Sequence, residues 1–157
     1  AEPDARLRLG ASAEDPRRGI VGHSTPGAMP SIEHAALWTS DLDRSSAFYA
    51  RVFGGEAGPR YHNPAKRFTS IFLTFASGAR LELMHRPDVT RALFDGPEPL
   101  GYAHLAFSVG SEAEVDALTD RLRAEGVPVV GEPRRTGDGY YESVVLDPDG
   151  NRVEITV

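Results

Sequence analysis

The 157-residue chain has no cysteine. A disulfide framework, a thiolate zinc site and a cysteine nucleophile are thereby excluded, and any metal must be held by histidine and carboxylate. Lysine is almost absent too: of 17 basic residues only Lys66 is lysine, a skew that reads as genome composition rather than function. No apolar run approaches the ~20 residues of a membrane-spanning helix. The first residues lack a basic segment followed by an apolar one. The expectation is a soluble, cytoplasmic protein without a membrane partner. A basic stripe is also missing, and the net charge of −6 argues against a nucleic-acid partner, since phosphate binding needs clustered positive charge.

What remains is a chain that is 40% apolar, enough for a packed core of one domain or of two small modules. Residues 1 to 30 are rich in Pro, Gly, Ala and Arg without an apolar period, and read as a flexible N-terminal arm whose removal leaves stability and metal binding nearly unchanged. From Ser31 the pattern sharpens. Ile32 to Thr39 reads as a strand. Asp41 to Phe53 reads as a helix with Asp41 as N-cap, Leu42, Ala47, Phe48 and Val52 on one face, and Gly54-Gly55 as its stop. Arg67 to Phe75 and Ala79 to His85 read as strands, and residues 86 to 100, with three prolines, as a connector. The order then recurs: a strand over Tyr102 to Val109, a helix over Ser111 to Glu125 with Ser111 and Glu114 in capping-box spacing, then strands over Val127 to Val130, Tyr141 to Leu146 and Asn151 to Val157.

Arithmetic supports a duplication. Gly150, Arg152, Val153, Glu154 and Ile155 lie 72 residues beyond Gly78, Arg80, Leu81, Glu82 and Leu83, and His104 lies 70 beyond His34. A strand-borne histidine opens each half and a strand-borne glutamate closes it. Independent surface residues have no reason to recur in register, so an internal repeat is the simplest account.

Strand alternation puts Ile32, His34, Ala36 and Trp38 on one face, Glu82, Met84 and Arg86 on another, and likewise Tyr102, His104, Ala106 and Ser108, then Arg152, Glu154 and Thr156. The opposite faces are apolar and suit packing on the helices. The mixed faces suit a cavity, where a carboxylate is costly unless paired or metal-bound. His34, Glu82, His104 and Glu154 therefore form a candidate ligand set for one divalent ion, with N and O donors suited to Zn, Ni, Co, Mn or Fe. His23 and His62 fall in loop-like sequence, and His85 takes the parity opposite to Glu82. Arg134-Arg135 reads as a surface pair, and Tyr140-Tyr141 lines the cup or packs the sheet.

These segments resemble the vicinal oxygen chelate superfamily, which includes glyoxalase I, fosfomycin resistance proteins, bleomycin-binding proteins and extradiol dioxygenases. The resemblance is carried by Ile32-Glu33-His34, Asp41 to Ser45 leading to Phe48-Tyr49, Leu81-Glu82-Leu83, Ala103 to Phe107, and, most specifically, Asp147-Pro148-Asp149-Gly150-Asn151-Arg152-Val153-Glu154. It implies an α+β fold of two tandem βαβββ modules, about 31–86 and 101–157, forming an eight-stranded open cup around a metal. It favours the glyoxalase I-like branch: a lyase or isomerase moving a proton between adjacent carbons of a small chelated substrate. Glu154 is then the better candidate for the base, with Glu82 second, and a homodimer is expected. A drug-binding resistance protein and an iron-dependent dioxygenase are the alternatives. Two departures stand out. Where bacterial glutathione-using members carry Arg and Asn, this chain has Trp38 and Arg86, both of cup-facing parity and so expected to touch substrate.

Overall fold

A computed structural model describes residues 32–90 and 101–157, and the expectation of a flexible arm over 1–30 lies outside those residues. Ile32–Val157 form one compact unit. Its elements are β1 (Ala35–Trp38), α1 (Leu42–Phe53), β2 (Glu56–Ala57), β3 (Tyr61–Asn63), β4 (Phe68–Thr74), β5 (Arg80–His85), β6 (His104–Ser108), α2 (Glu112–Ala124), β7 (Val129–Arg135), β8 (Tyr141–Leu146) and β9 (Arg152–Thr156). The chain thus runs twice through strand, helix and antiparallel strands, and the class is α+β.

The strands form two sheets. One has the order β1-β5-β4-β2 with β3 also on β4, and the other the order β6-β9-β8-β7. In both, the strand before the helix pairs parallel with the last strand of its module. Ala36 opposes Glu82 and Ala106 opposes Glu154. Each histidine therefore sits two residues before the partner of its glutamate. The repeat seen in the sequence is a repeat of register.

Local chemistry fixes the helices. The Asp41 side chain accepts from the Arg44 N–H at 3.0 Å, and the Ser111 hydroxyl accepts from the Glu114 N–H at 3.2 Å, each satisfying a donor of the first turn. Gly54 closes α1 at φ +70°, a left-handed conformation that a side chain would strain. Leu42, Phe48, Tyr49 and Val52 bury against Ile71, Leu73, Leu81 and Leu83, while Val115, Leu118 and Leu122 bury against Val145, Val153 and Ile155. Ala47, expected on the buried stripe of α1, is exposed. The stripe turns instead through Ser45, Ser46 and Tyr49, because this side of the helix meets the β8–β9 turn.

Two other expectations are revised, and two short strands appear that the sequence reading did not contain. β1 and β6 begin later than residues 32 and 102, and Ile32 and Tyr102 are fully solvent-exposed. β2 and β3 are short edge segments punctuated by Gly58, Pro59 and Pro64, and carry no alternation long enough to read. β7 runs on to Arg135, past Gly131 and Pro133, with register shifts on either side of Gly131. An edge strand tolerates a proline, since the missing N–H can fall on the unpaired side.

Candidate metal centre

His34, immediately before β1, and Glu82 of β5 share the face of the first sheet opposite α1. Nε2 of His34 lies 3.7 Å from Oε2 of Glu82. His104 of β6 and Glu154 of β9 pair likewise in the second module: Nε2 of His104 lies 3.1 Å from Oε2 of Glu154. Both imidazoles are partly open, and the glutamate side chains are largely covered, at 16% and 18% exposure. A group largely covered by the sheet yet partly open at its tip can meet a ligand without the cost of full burial.

The donors fit a divalent ion. Two ligands each ~2.1 Å from one ion stand ~3–3.5 Å apart, close to both separations, and imidazole nitrogen with carboxylate oxygen suits Zn, Ni, Co, Mn or Fe. Yet the four side chains expected to share one ion form two pairs. Among the described residues no three His, Asp or Glu side chains gather closely enough to hold an ion. Each pair supplies two donors, whereas catalytic zinc keeps at least three.

One member of the first half-site escaped the sequence reading. The Glu33 carboxylate takes a hydrogen bond from His34 Nδ1 and another from the Arg80 guanidinium. An ionised carboxylate can only accept, so Nδ1 is the donor, which leaves Nε2 on the side of Glu82. The hydrogen bonds from His34 and then Arg80 hold the Glu33 carboxyl below the usual carboxylate range. The Arg80 guanidinium in turn lies 4.2 Å from the centre of the Phe72 ring, which meets the His34 imidazole edge-on at 5.2 Å. This is the carboxylate–histidine arrangement that orients metal-binding imidazoles, and its loss typically costs 10–100-fold in metal affinity. Glu33→Ala is accordingly expected to weaken zinc binding by about that factor with little change in melting temperature; titration against a competing chelator reads it.

In the second half-site Glu154 is pushed above the usual carboxylate range. Burial is the main cause, opposed by the positive pull of His104 and reinforced by Glu142. Arg134, read from sequence as a surface feature, pairs with Glu142 at 3.5 Å and exerts a smaller downward pull on Glu154. Of the histidines left out of the site, His62 hydrogen-bonds Thr69 and His85 meets the Thr39 carbonyl. Tyr141 packs against the core and hydrogen-bonds Asp116, whereas Tyr140 is exposed. A cleft of about 540 Å³ lies elsewhere, among Val52, Phe53, Phe107, Leu118 and Arg121. It holds none of the four candidate ligands.

A profile for the Glyoxalase/Bleomycin resistance protein/Dioxygenase superfamily matches residues 31–155. The chain belongs to that superfamily. It is 30% identical over 128 residues to a probable lactoylglutathione lyase of Vibrio cholerae, covering 79% of this chain and 88% of the relative. It is 29% identical over 129 residues to the glutathione transferase FosA of Serratia marcescens, covering 82% of each. The glyoxalase family protein of Enterococcus faecalis superposes with a TM-score of 0.68 at 29% identity, over 81% of this chain and 97% of that one. These likenesses fix the superfamily and its open, two-module α+β architecture. No helix among the described residues is long and apolar enough to cross a membrane.

Proposed function

We propose that the protein is a metal-dependent, glyoxalase I-like lyase or isomerase that moves a proton between adjacent carbons of a small oxygenated substrate. The observation that carries this reading is the duplicated His–Glu pairing. Two half-sites of identical register supply four donors, one more than a catalytic metal needs, so one carboxylate can serve as a base. In this reading His34 and Glu82 of one copy and the His104–Glu154 pair of a second copy hold one divalent ion, Zn or Ni foremost, in a cytoplasmic homodimer. The bound ion supplies Lewis acidity to the substrate oxygens.

Glu154 takes the proton. Its Oε2 lies 3.1 Å from His104 Nε2, and burial raises its proton affinity, which suits a general base that must return the proton to the neighbouring carbon. Glu82 stands in the equivalent place of the other half. Glu33 keeps the His34 ring in its ligand orientation. The test is product analysis after turnover of hemithioacetals in D₂O with Zn-, Ni-, Co- or Mn-loaded protein. Deuterium at the receiving carbon, lost in Glu154→Gln, is expected. Absence of turnover with every metal overturns the reading.

The thiol partner is a separate matter. Trp38 and Arg86 stand where an Arg and an Asn grip glutathione in bacterial relatives. Exchanging a guanidinium for an indole removes a planar donor fork and a charge. A desolvated glutathione carboxylate would lose a partner worth roughly 2–5 kcal/mol, on the order of 30- to several thousand-fold in affinity. The methylglyoxal–glutathione adduct is therefore expected to turn over with kcat/KM below ~10⁴ M⁻¹s⁻¹, the lower end of ordinary enzymes. A steady-state assay with the metal-loaded enzyme checks it, and a higher value restores a plain glutathione-dependent glyoxalase.

A further inference from the structure

We infer that the sheet face beside His34 and Glu82 receives a flat aromatic ring bearing an acidic group at the end remote from the reacting oxygens. This rests on the functional reading above and names its substrate class.

The inference comes from register. Trp38 opposes Met84, Met84 opposes Ser70, and Ser70 opposes Tyr61. These four residues form one row across β1, β5, β4 and β3, spanning three strand spacings or ~14 Å. Phe68, two residues before Ser70, joins them on the same face: its ring lies 6.1 Å from that of Trp38, edge to face, and 6.2 Å from that of Tyr61. The Ser70 side chain lies buried beneath, at 3% exposure, while Trp38 and Tyr61 stay exposed at 42% and 55%. Two large aromatics left open on either side of a third form a wall for a ring, not a closed core.

The polar groups order the ligand along the strand. Glu82 precedes Met84 by two residues, so the proposed metal pair lies one row away, ~7 Å along β5. Arg86 follows Met84 by two, just beyond the opposite side of the row. Its guanidinium carbon lies 5.6 Å from the centre of the Trp38 ring, and Asp88 holds its Nε at 2.8 Å. A ligand whose oxygens reach Glu82 and His34 therefore lays its ring over the Trp38–Tyr61 row and brings its far end to Arg86. A cation beyond an aromatic wall matches a carboxylate on a ring, which a guanidinium grips with paired hydrogen bonds. An alkyl chain would forgo the ring contacts, and a neutral arene would forgo the cation.

The chain has a single tryptophan, so ¹⁵N-labelled protein shows one indole N–H signal, that of Trp38. The experiment titrates zinc-loaded and metal-free full-length protein with 2-naphthoate, 2-naphthalenemethanol and decahydro-2-naphthoate, following that signal and the heat of binding. Naphthoate is expected to shift the indole signal and to bind about tenfold more tightly than either analogue, a ~1.4 kcal/mol preference. Arg86→Ala should bring naphthoate to the level of the alcohol, with Arg86→Lys recovering part. Phe68→Leu should weaken both naphthyl ligands, with the fold checked by the dispersion of the amide spectrum. Equal affinity for the three probes, or an unmoved indole signal, overturns the inference. So does a signal that responds to protein concentration and not to probe, since a second copy then covers the face. Zinc content is measured separately. Naphthoate bound by protein that takes up no metal would leave the inference standing and defeat the proposed reaction; metal bound without naphthoate would do the reverse.

Discussion

Mixing two disabled chains should restore metal binding. The first carries His34→Ala with Glu82→Ala, the second His104→Ala with Glu154→Ala. Each alone keeps one intact half-site, and two donors are fewer than the three of a catalytic zinc. Removing half of a site worth ~10 kcal/mol weakens binding on the order of 10³-fold or more. Each variant should therefore emerge nearly metal-free from a buffer containing a moderate chelator. Co-refolded at equal amounts, chains that pair at random give heterodimers as about half of all dimers, by the closed twofold symmetry of such assemblies. In a heterodimer one site draws on both damaged halves and the other on both intact ones. Roughly a quarter of the wild-type metal content should return. A site completed within one chain returns none, because no chain in the mixture has both halves. The separation of the His34–Glu82 and His104–Glu154 pairs motivates the design. Equal metal content in the wild type and both double variants would defeat the ligand assignment. Double variants that are each defective alone and show no recovery on mixing would keep the ligands and discard their sharing between copies.

The approach of His34 to Glu82 and of His104 to Glu154 was legible in the sequence because alternation in a strand is local. His34 and His104, with Glu82 and Glu154, declare their faces by parity, and the duplication turns two weak signals into one strong one. Where the two halves lie is not local, and no periodicity reports it. Glu33 was hidden by the same rule that revealed His34. Alternation sends neighbours to opposite faces, but β1 starts only at Ala35, and before the ladder begins adjacent side chains are free to meet. Tyr61 was hidden because β3 is three residues long. Ser45 broke the apolar stripe of α1, and the reason lies more than a hundred residues downstream at Asp149. The Asp147-Pro148-Asp149-Gly150 turn was read as a motif of resemblance. Its physical work could be seen only once the fold brought it to the other module.

That work predicts the largest stability effect of a single polar substitution. Thr39 and Ser45 place their hydroxyls 2.5 and 3.0 Å from Asp149 Oδ2 and 2.6 Å from each other. The Ser40 N–H and the Arg44 guanidinium each reach Oδ1 at 3.1 Å, and the Ser40 hydroxyl donates to the same oxygen. Beside it Asp147 accepts from the Tyr49 hydroxyl and from Asn151 Nδ2, both at 2.9 Å, and from the Asp149 and Asn151 N–H groups at 2.9 and 2.8 Å. The turn that leads into Glu154 is thus bolted to the segment that follows His34. Asp149→Ala leaves the Thr39 and Ser45 hydroxyls buried, at 7% and 1% exposure, without their anionic acceptor. Their mutual hydrogen bond softens the loss, so a cost of about 2–4 kcal/mol is expected, against about 1–2 kcal/mol for Tyr49→Phe, which removes one hydrogen bond to Asp147. Burial opposes ionisation of Asp149, but the hydrogen bonds from Ser40, Thr39 and Ser45 outweigh it and hold its carboxyl below the usual range. A carboxyl depressed on folding stabilises above its unfolded value of ~3.9 and loses that contribution as pH falls through the lower folded value. The gap between wild type and Asp149→Ala in urea midpoints should therefore be constant from neutral pH down to about pH 5 and narrow below about pH 4. A difference under about 0.5 kcal/mol at neutral pH, the range of ordinary surface substitutions, would show that the two modules are held together without this turn.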